Sequence, residues 1–484
     1  MTSPALMLRI LHTNDLHSHF EQMPSIAAAF RELRRSAGDT NTLTLDIGDH
    51  LDRMHAATEG TEGTANIAVM NETGYDAVTI GNNEGLTFTP AALAALYGEK
   101  SIFKVLCSNL LNTETGRIPG WAVPSHVVEK GGIRVGLIGV TAYFTEFYRL
   151  LGWDILEPHT VAARLVGELR PHVDLIVVLS HLGLRNDERM AQEIQGIDLI
   201  LGGHTHHLLE TPLRIGSTMV CAAGKHGQHF GVVDIEFDRE TRKPVSMEGY
   251  VRSTADFAPD AQVSRDIEQF ERDAGKVLAR EVARLDYPLF SDWYAEAPLG
   301  NLLATGLRKR VGADIGLVNA GQCLEGLQAG PVTAGRLLEI CPSPINPCRM
   351  LLTGARLRQA LEESLLPEFM EKPLFGFGFR GKVLGMLNVD GLRIQYDAAA
   401  PDYAKIREIR VGDEVLQEEK EYVVATIDMF TFGIGYHSLS EGTEVTYYLP
   451  EFLRDVLKME LRDAQAVREC TVPRWHRVKL QNGL

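Results

Sequence analysis

"MLRILHTNDLH", residues 7–17, runs apolar for most of its length and then ends in an amide, a carboxylate and an imidazole. The run has the length and composition of a β-strand, but Asn14, Asp15 and His17 at its tip are not residues suited to packing. The pattern recurs through the first half of the chain. "TLTLDIGD" (42–49) delivers Asp46 and Asp49, and "DAVTIGN" (76–82) delivers Asn82. "VDLIVVLSH" (173–181) ends in His181, and "LILGGHTHH" (199–207) ends in His204, His206 and His207. "KVLCSN" and "IRVGLIGVT" read as further strands, and helical patterns such as "PSIAAAFRELRRSAG" (24–38) separate most of them. Strands that are apolar nearly throughout suit a sheet covered by helices. The carboxyl edge of such a sheet is where open α/β folds bind ligands.

Taken singly, an Asp or His after a strand is more often a turn or helix cap. The ordered set is harder to dismiss. Carboxylate and imidazole donors without thiolate suit Mn, Zn, Fe or Co rather than a structural zinc. The candidates are too many for one ion and fit two, the standard apparatus for phosphate-ester hydrolysis.

Composition bounds the partners. With 484 residues, more than one domain is expected. The formal charge is -16, from 48 basic and 64 acidic residues, which disfavours a nucleic-acid polymer. The start lacks a secretory signal and no apolar run is long enough to span a bilayer, so no membrane partner and a cytoplasmic location are expected. The six cysteines form no CxxC pair and read as reduced thiols. "STMVCAAG" and "HFGVVDIEFD" read as antiparallel strands closing the first domain.

The set "DLH", "GD", "GN", "SH" and "GGHTH" resembles the calcineurin-like metallophosphoesterases, whose pattern is D-x-H, G-D, G-N-H-E, a later H and G-H-x-H. "LHTNDLHSHF" and "LGNLLATGLR" are similar to the two halves of bacterial 5'-nucleotidases. The resemblance implies an α/β fold, a four-layer α/β/β/α sandwich over 1–255. A linker helix over 256–286 and a smaller α/β substrate-binding domain over 287–484 follow. It also implies two divalent metal ions. Asp15, His17, Asp49 and His206 would hold one. Asp49, Asn82, His181 and His204 would hold the other, with a hydroxide between them attacking phosphorus in line.

Asn83 departs from the pattern. The family carries His there and Asp three residues on; this chain has Asn83 and Leu86. An amide can donate a hydrogen bond to a phosphoryl oxygen but cannot deliver a proton. Loss of a general acid costs on the order of 10²–10⁴ in rate for a poor leaving group. His50, Glu84, His19, His55 and His207 are local candidates to take its place. The loop of 50–63 is a candidate pocket lining, and the turn of 225–231 reads as structural, with Lys225 a candidate to face phosphate.

In the second half the nucleoside-binding motifs are altered. Asn319 and Gly321 persist in "NAGQCL", while Leu324 stands at an Arg position and Ile434 at the ribose Asp position. Phe377, Phe379, Phe430 and Phe432 could rebuild a stacking platform, with core packing the competing reading for Phe430. Arg380 is a candidate anion contact. The expected function is metal-dependent hydrolysis of a small phosphorylated metabolite, with a nucleotide favoured. A phosphoanhydride hydrolase and a nucleotide-binding protein without turnover are the alternatives.

Overall fold

The computed structural model describes residues 6–376 and 378–478. Two compact units divide the chain, 1–275 and 276–484. In the first, Leu6–Thr13 pairs in parallel with Thr42–Asp46, then Ala77–Thr79 and Lys104–Leu106 follow in the same sense. His229–Phe237 runs antiparallel beside Leu6–Thr13, and Pro244–Ser253 completes this six-stranded sheet. A second six-stranded sheet has Ile133–Thr141, Leu175–His181, Leu199–Gly202 and Thr218–Cys221 parallel in that order. "STMVCAAG" is therefore not part of the antiparallel closure. The short strand Leu213–Ile215 reverses the chain first, which turns Thr218–Cys221 parallel to Leu199–Gly202.

The two sheets face each other. Leu8, Ile10, Leu43 and Leu45 of the first meet Leu137, Val177, Leu199 and Leu201 of the second in one core. Residues of the opposite parity (Ile138, Ile176, Val178, Ile200) point outward against Val161, Leu165 and Met190. Those three belong to the helices Pro158–Leu169 and Leu184–Glu193. On the other side, Phe30 of the helix Met23–Ala37 packs edge-on to Tyr75 and Phe230. The arrangement is the α/β/β/α sandwich expected. Burial on both faces is why these strands read as continuous apolar runs, each large aliphatic side chain contributing about 1.5–3 kcal/mol.

The segment 256–286 holds the helix Ala261–Leu278 and then the strand Glu281–Leu285. Val263, Ile267 and Ala274 of the helix are buried. Ala274 lies where a Cβ on Gly60 would come within 2.6 Å, and Asp260 pairs with Arg31. Most of this helix is thus docked on the first unit.

The second unit is the smaller α/β body. Its five-stranded sheet runs in the order Leu387–Asp390, Ile315–Asn319, Glu421–Ile427, Pro347–Thr353, Thr443–Tyr447. Leu299, Leu302, Leu303 and Leu307 of the helix Pro298–Val311 lie in its core. The six cysteines are free and buried.

Asp428 follows the strand Glu421–Ile427 and is 8% exposed, accepting from the Asn346 N–H at 3.1 Å. Burial pushes its carboxyl up to about 7 against the pull of that bond. An acid raised in the folded state is favoured in its protonated form. Its support is full below the unfolded pKa near 3.8 and is lost as pH rises through about 7. Asp428→Asn keeps an acceptor and removes the ionisation. The variant should gain on the parent by a few kcal/mol at pH 8 and by little at pH 4. Thermal unfolding across that range checks it; parallel curves for the two proteins would refute it.

Candidate metal centre

Loops after the first two strands of the first unit interlock before any side chain is considered. The Asp15 N–H donates to the Gly48 carbonyl, His17 N–H to Asp49 and Ser18 N–H to His50, at 2.8–3.0 Å. Asp15, His17, Asp49, His204 and His206 all have φ between 46° and 74°, the left-handed region that side chains of this kind seldom occupy. Strain of this kind costs about 1–3 kcal/mol per residue and gathers where surrounding structure imposes a functional geometry. Here it turns short side chains inward from a sheet edge.

Glycine is required where the loops touch. A Cβ on Gly81 would stand 2.0 Å from Asp49 Oδ1, and one on Gly48, at φ 87°, would stand 2.4 Å from the Gly81 nitrogen. The "GD" and "GN" of the sequence are the two sides of one contact.

Two groups of ligand atoms result: Asp15, His17 and His206, and Asp49, His181 and His204. Within each the donor atoms lie within 4.8 Å of one another. The groups adjoin, since His17 Nε2 lies 3.9 Å from Asp15 Oδ1 and 3.8 Å from Asp49 Oδ2. His181 Nδ1 donates to the Ile47 carbonyl, 2.7 Å away, since a carbonyl oxygen only accepts. Its Nε2 then faces Asp49 Oδ2 at 3.3 Å without hydrogen-bond geometry. Asn82 Oδ1 is buried and accepts no hydrogen bond from the described residues. His17 Nε2 and His206 Nε2 stand 3.1 Å apart.

Charge is concentrated accordingly. Burial works to raise Asp49, but His181 and His17 outweigh it and hold its carboxyl well below the usual range. Burial raises Asp15, with the charge of Asp49 adding to the effect and His181 opposing it. Burial lowers His204 to about 4 and His206 to about 3, so both rings are neutral, the form that ligates. Buried acceptors without partners, neutral imidazoles and clustered carboxylates fit two divalent cations.

The remaining expected residues fall into place differently. Asn83 donates its backbone N–H to Asp49 Oδ1 at 2.8 Å and its amide Nδ2 to Asp49 Oδ2 at 2.7 Å. Glu84, fully buried, accepts from the N–H groups of Leu51, Asp49 and Gly81 at 2.8, 3.0 and 2.8 Å. Both of its oxygens are engaged, so it is corrected from proton donor to loop clamp. His50 is 1% exposed, beside Asn66, and burial lowers it to about 3. A shut-in neutral ring is not placed to protonate a leaving group. His55 caps the helix Ala56–Gly60, accepting from the Ala57 N–H. In the turn of 225–231, the His226 N–H donates to the Asp15 carbonyl at 2.7 Å and its ring stacks on His19. His207 bonds Thr205 Oγ1 at 2.8 Å.

In the second unit Asn319 is buried, its amide donating to the Leu384 carbonyl and accepting from Gln322. A Cβ on Gly321 would meet the Val383 carbonyl at 2.0 Å. Phe430 is fully buried against Tyr436. Asn319, Gly321 and Phe430 are corrected to core residues: none presents a free face to a ligand. Phe432 is half-exposed, Phe379 is buried, and Arg380 is partly buried with its N–H on Ser343 Oγ. Phe377 lies outside the described residues. Sequence reasoning passed over Asp52, whose carboxylate reaches His17 Nδ1 at 3.1 Å. Its signal was its place three residues after Asp49, in a loop already suspected of lining the site.

Comparison with known proteins agrees with this geometry. Residues 8–208 match the calcineurin-like phosphoesterase family, and 281–440 match the 5'-nucleotidase C-terminal domain. The chain is 36% identical over 458 residues to the uncharacterized metallophosphoesterase YunD of Bacillus subtilis, covering 94% of this chain and 99% of that one. It is 25% identical to the endonuclease YhcR of the same organism, over 81% of this chain and 36% of that longer protein. The solved 5'-nucleotidase precursor of Thermus thermophilus superposes with a TM-score of 0.60 at 24% identity, over 98% of this chain and 99% of that one.

Glu84→Ala would strand three buried N–H donors, at about 1–3 kcal/mol each. The expected result is a fall in melting temperature of about 10 °C or more, together with loss of metal binding. An unchanged melting temperature with full metal content would refute the clamp.

Proposed function

The chain belongs to the metallophosphoesterases, and we propose that its substrate is a small phosphorylated metabolite, a nucleotide in the first place. It is a dinuclear-metal-dependent phosphoester hydrolase of the 5'-nucleotidase type. In this reading Asp15, His17, Asp49 and His206 hold one ion and Asp49, Asn82, His181 and His204 the other. Bound there, the ions would supply positive charge for the phosphoryl oxygens and a water acidified for attack at phosphorus.

The chain's own residues do the rest. Glu84 fixes the loop that presents Asp49, and Asn83 holds both oxygens of that carboxylate through its two N–H groups. In the second unit, half-exposed Phe432 and partly buried Arg380 are the proposed substrate-binding residues. Among the described residues, no helix is long and apolar enough to cross a membrane. A polymer remains disfavoured by the net charge of -16.

One observation carries the finer reading: the side chain of Asn83, an amide that cannot deliver a proton, is committed to Asp49 at 2.7 Å. A leaving group that is a weak base needs little protonation. This favours, as the second reading, phosphate compounds whose leaving group is itself a phosphate or an acidic hydroxyl, the phosphoanhydride reading.

The test is product release by metal-stripped protein reloaded with Mn, Zn, Fe or Co. The panel comprises nucleoside monophosphates, dinucleoside pyrophosphates, aryl phosphates of graded leaving-group pKa and single-stranded DNA. Asp49→Asn serves as the control for contaminants. Turnover should fall about 10²-fold or more from good to poor leaving groups. A flat dependence would mean that a proton donor is present after all. Turnover no greater than the control with every metal would replace hydrolysis by nucleotide binding.

A further inference from the structure

Asp52 is among the most deeply buried carboxylates of the first unit, 1% exposed. Its setting is fixed from several sides. Oδ1 accepts from the Met54 N–H at 3.0 Å, and its own N–H donates to Ser18 Oγ at 2.7 Å. Ser18 Oγ is held in turn by Thr58 Oγ1 at 2.8 Å and Asn66 Nδ2 at 3.0 Å. The remaining oxygen, Oδ2, lies 3.1 Å from His17 Nδ1. A carboxylate accepts and does not donate, so the hydrogen of that bond belongs to His17.

We infer that Asp52 is a positioning residue for one of the two metal sites only, fixing the His17 tautomer that turns an Nε2 lone pair toward Asp15 and His206. The inference rests on the metal-centre reading above. A neutral imidazole protonated at Nδ1 has its lone pair on Nε2. That atom is the one 3.1 Å from His206 Nε2 and 3.9 Å from Asp15 Oδ1.

The other site is built differently. His181 is oriented by a neutral backbone carbonyl, that of Ile47, and not by a charge. A carboxylate behind an imidazole makes the ring a stronger donor than a carbonyl does. The two positions are therefore unlike, and Asp52 distinguishes them.

Asp52→Asn is close to isosteric. Its amide oxygen can keep the Met54 N–H, which leaves an NH₂ facing His17 Nδ1. Two donors then oppose each other, and His17 is driven to carry its hydrogen on Nε2, toward the cluster. Titration of Zn into metal-stripped protein, read by calorimetry and by bound metal after dialysis, should show one ion weakened about 10–100-fold. The second ion should bind as in the parent, and the melting temperature of the metal-free protein should be unchanged.

Two ions bound with parental affinities would overturn the inference, as would equal weakening of both. A metal-free variant that melts well below the parent would leave the decision to the unaltered protein. There, ¹⁵N spectra of the Zn-loaded chain should show His17 protonated at Nδ1, and protonation at Nε2 would overturn the assignment. If the parent binds no metal, the metal-centre reading falls and this one with it. None of these readouts depends on turnover.

Discussion

Three backbone N–H groups converge on the carboxylate of Glu84, and both metal clusters depend on that convergence. By binding Asp49, Leu51 and Gly81 together, Glu84 joins the loop after the second strand to the loop after the third. The first loop is joined to the second by the backbone bonds from Asp15, His17 and Ser18. Asp15 then extends the set across to the facing sheet by accepting the His204 N–H at 3.0 Å. Ligand side chains from five strand ends are positioned by bonds that are mostly not made by the ligands' metal-facing atoms. These bonds are made within the chain and hold the ligand side chains in place, which reduces the entropy that cation binding must overcome.

That organisation is costly, and the cost is local. Left-handed backbone at Asp15, His17, Asp49, His204 and His206 stores strain, and two nearly unexposed carboxylates sit side by side. Apolar strands buried on both faces supply the offsetting stability a few residues away. A rigid core ending abruptly in strained polar loops is a physical division of labour. It is also why the motif residues follow so closely on hydrophobic runs.

That adjacency is what made the centre legible from sequence. An α/β sheet covered by helices could be read from continuous apolar strands separated by amphipathic helices, the four-layer arrangement only from the resemblance of the motif set, and the ligand candidates from what stood at each strand end. The contacts that give the other residues their tasks span longer distances. Glu84 meets partners 35 and 33 residues away, and Asp52 meets His17 across 35. No local period encodes such pairings. His50 misled because it follows Asp49 directly; the left-handed turn at Asp49 sends the next side chain into the core. For Phe430 the Gly-rich neighbourhood left stacking and core packing both open, and the short helix Asp428–Thr431 buries it.

Asn83 gains its meaning from the same lattice of contacts. At the sequence level it is a loss, since an amide replaces a proton donor. In the structure its two N–H groups approach the two oxygens of Asp49, the carboxylate placed between the clusters. An imidazole there offers one ring N–H in its neutral form and changes charge near neutral pH. An amide offers a donor at every pH and leaves the acceptor's electrons partly withdrawn. The amide therefore gives a hold on Asp49 that does not change with pH. In the phosphoanhydride reading proposed for the substrate, a departing oxygen that needs no proton would suit a site with an amide at this position.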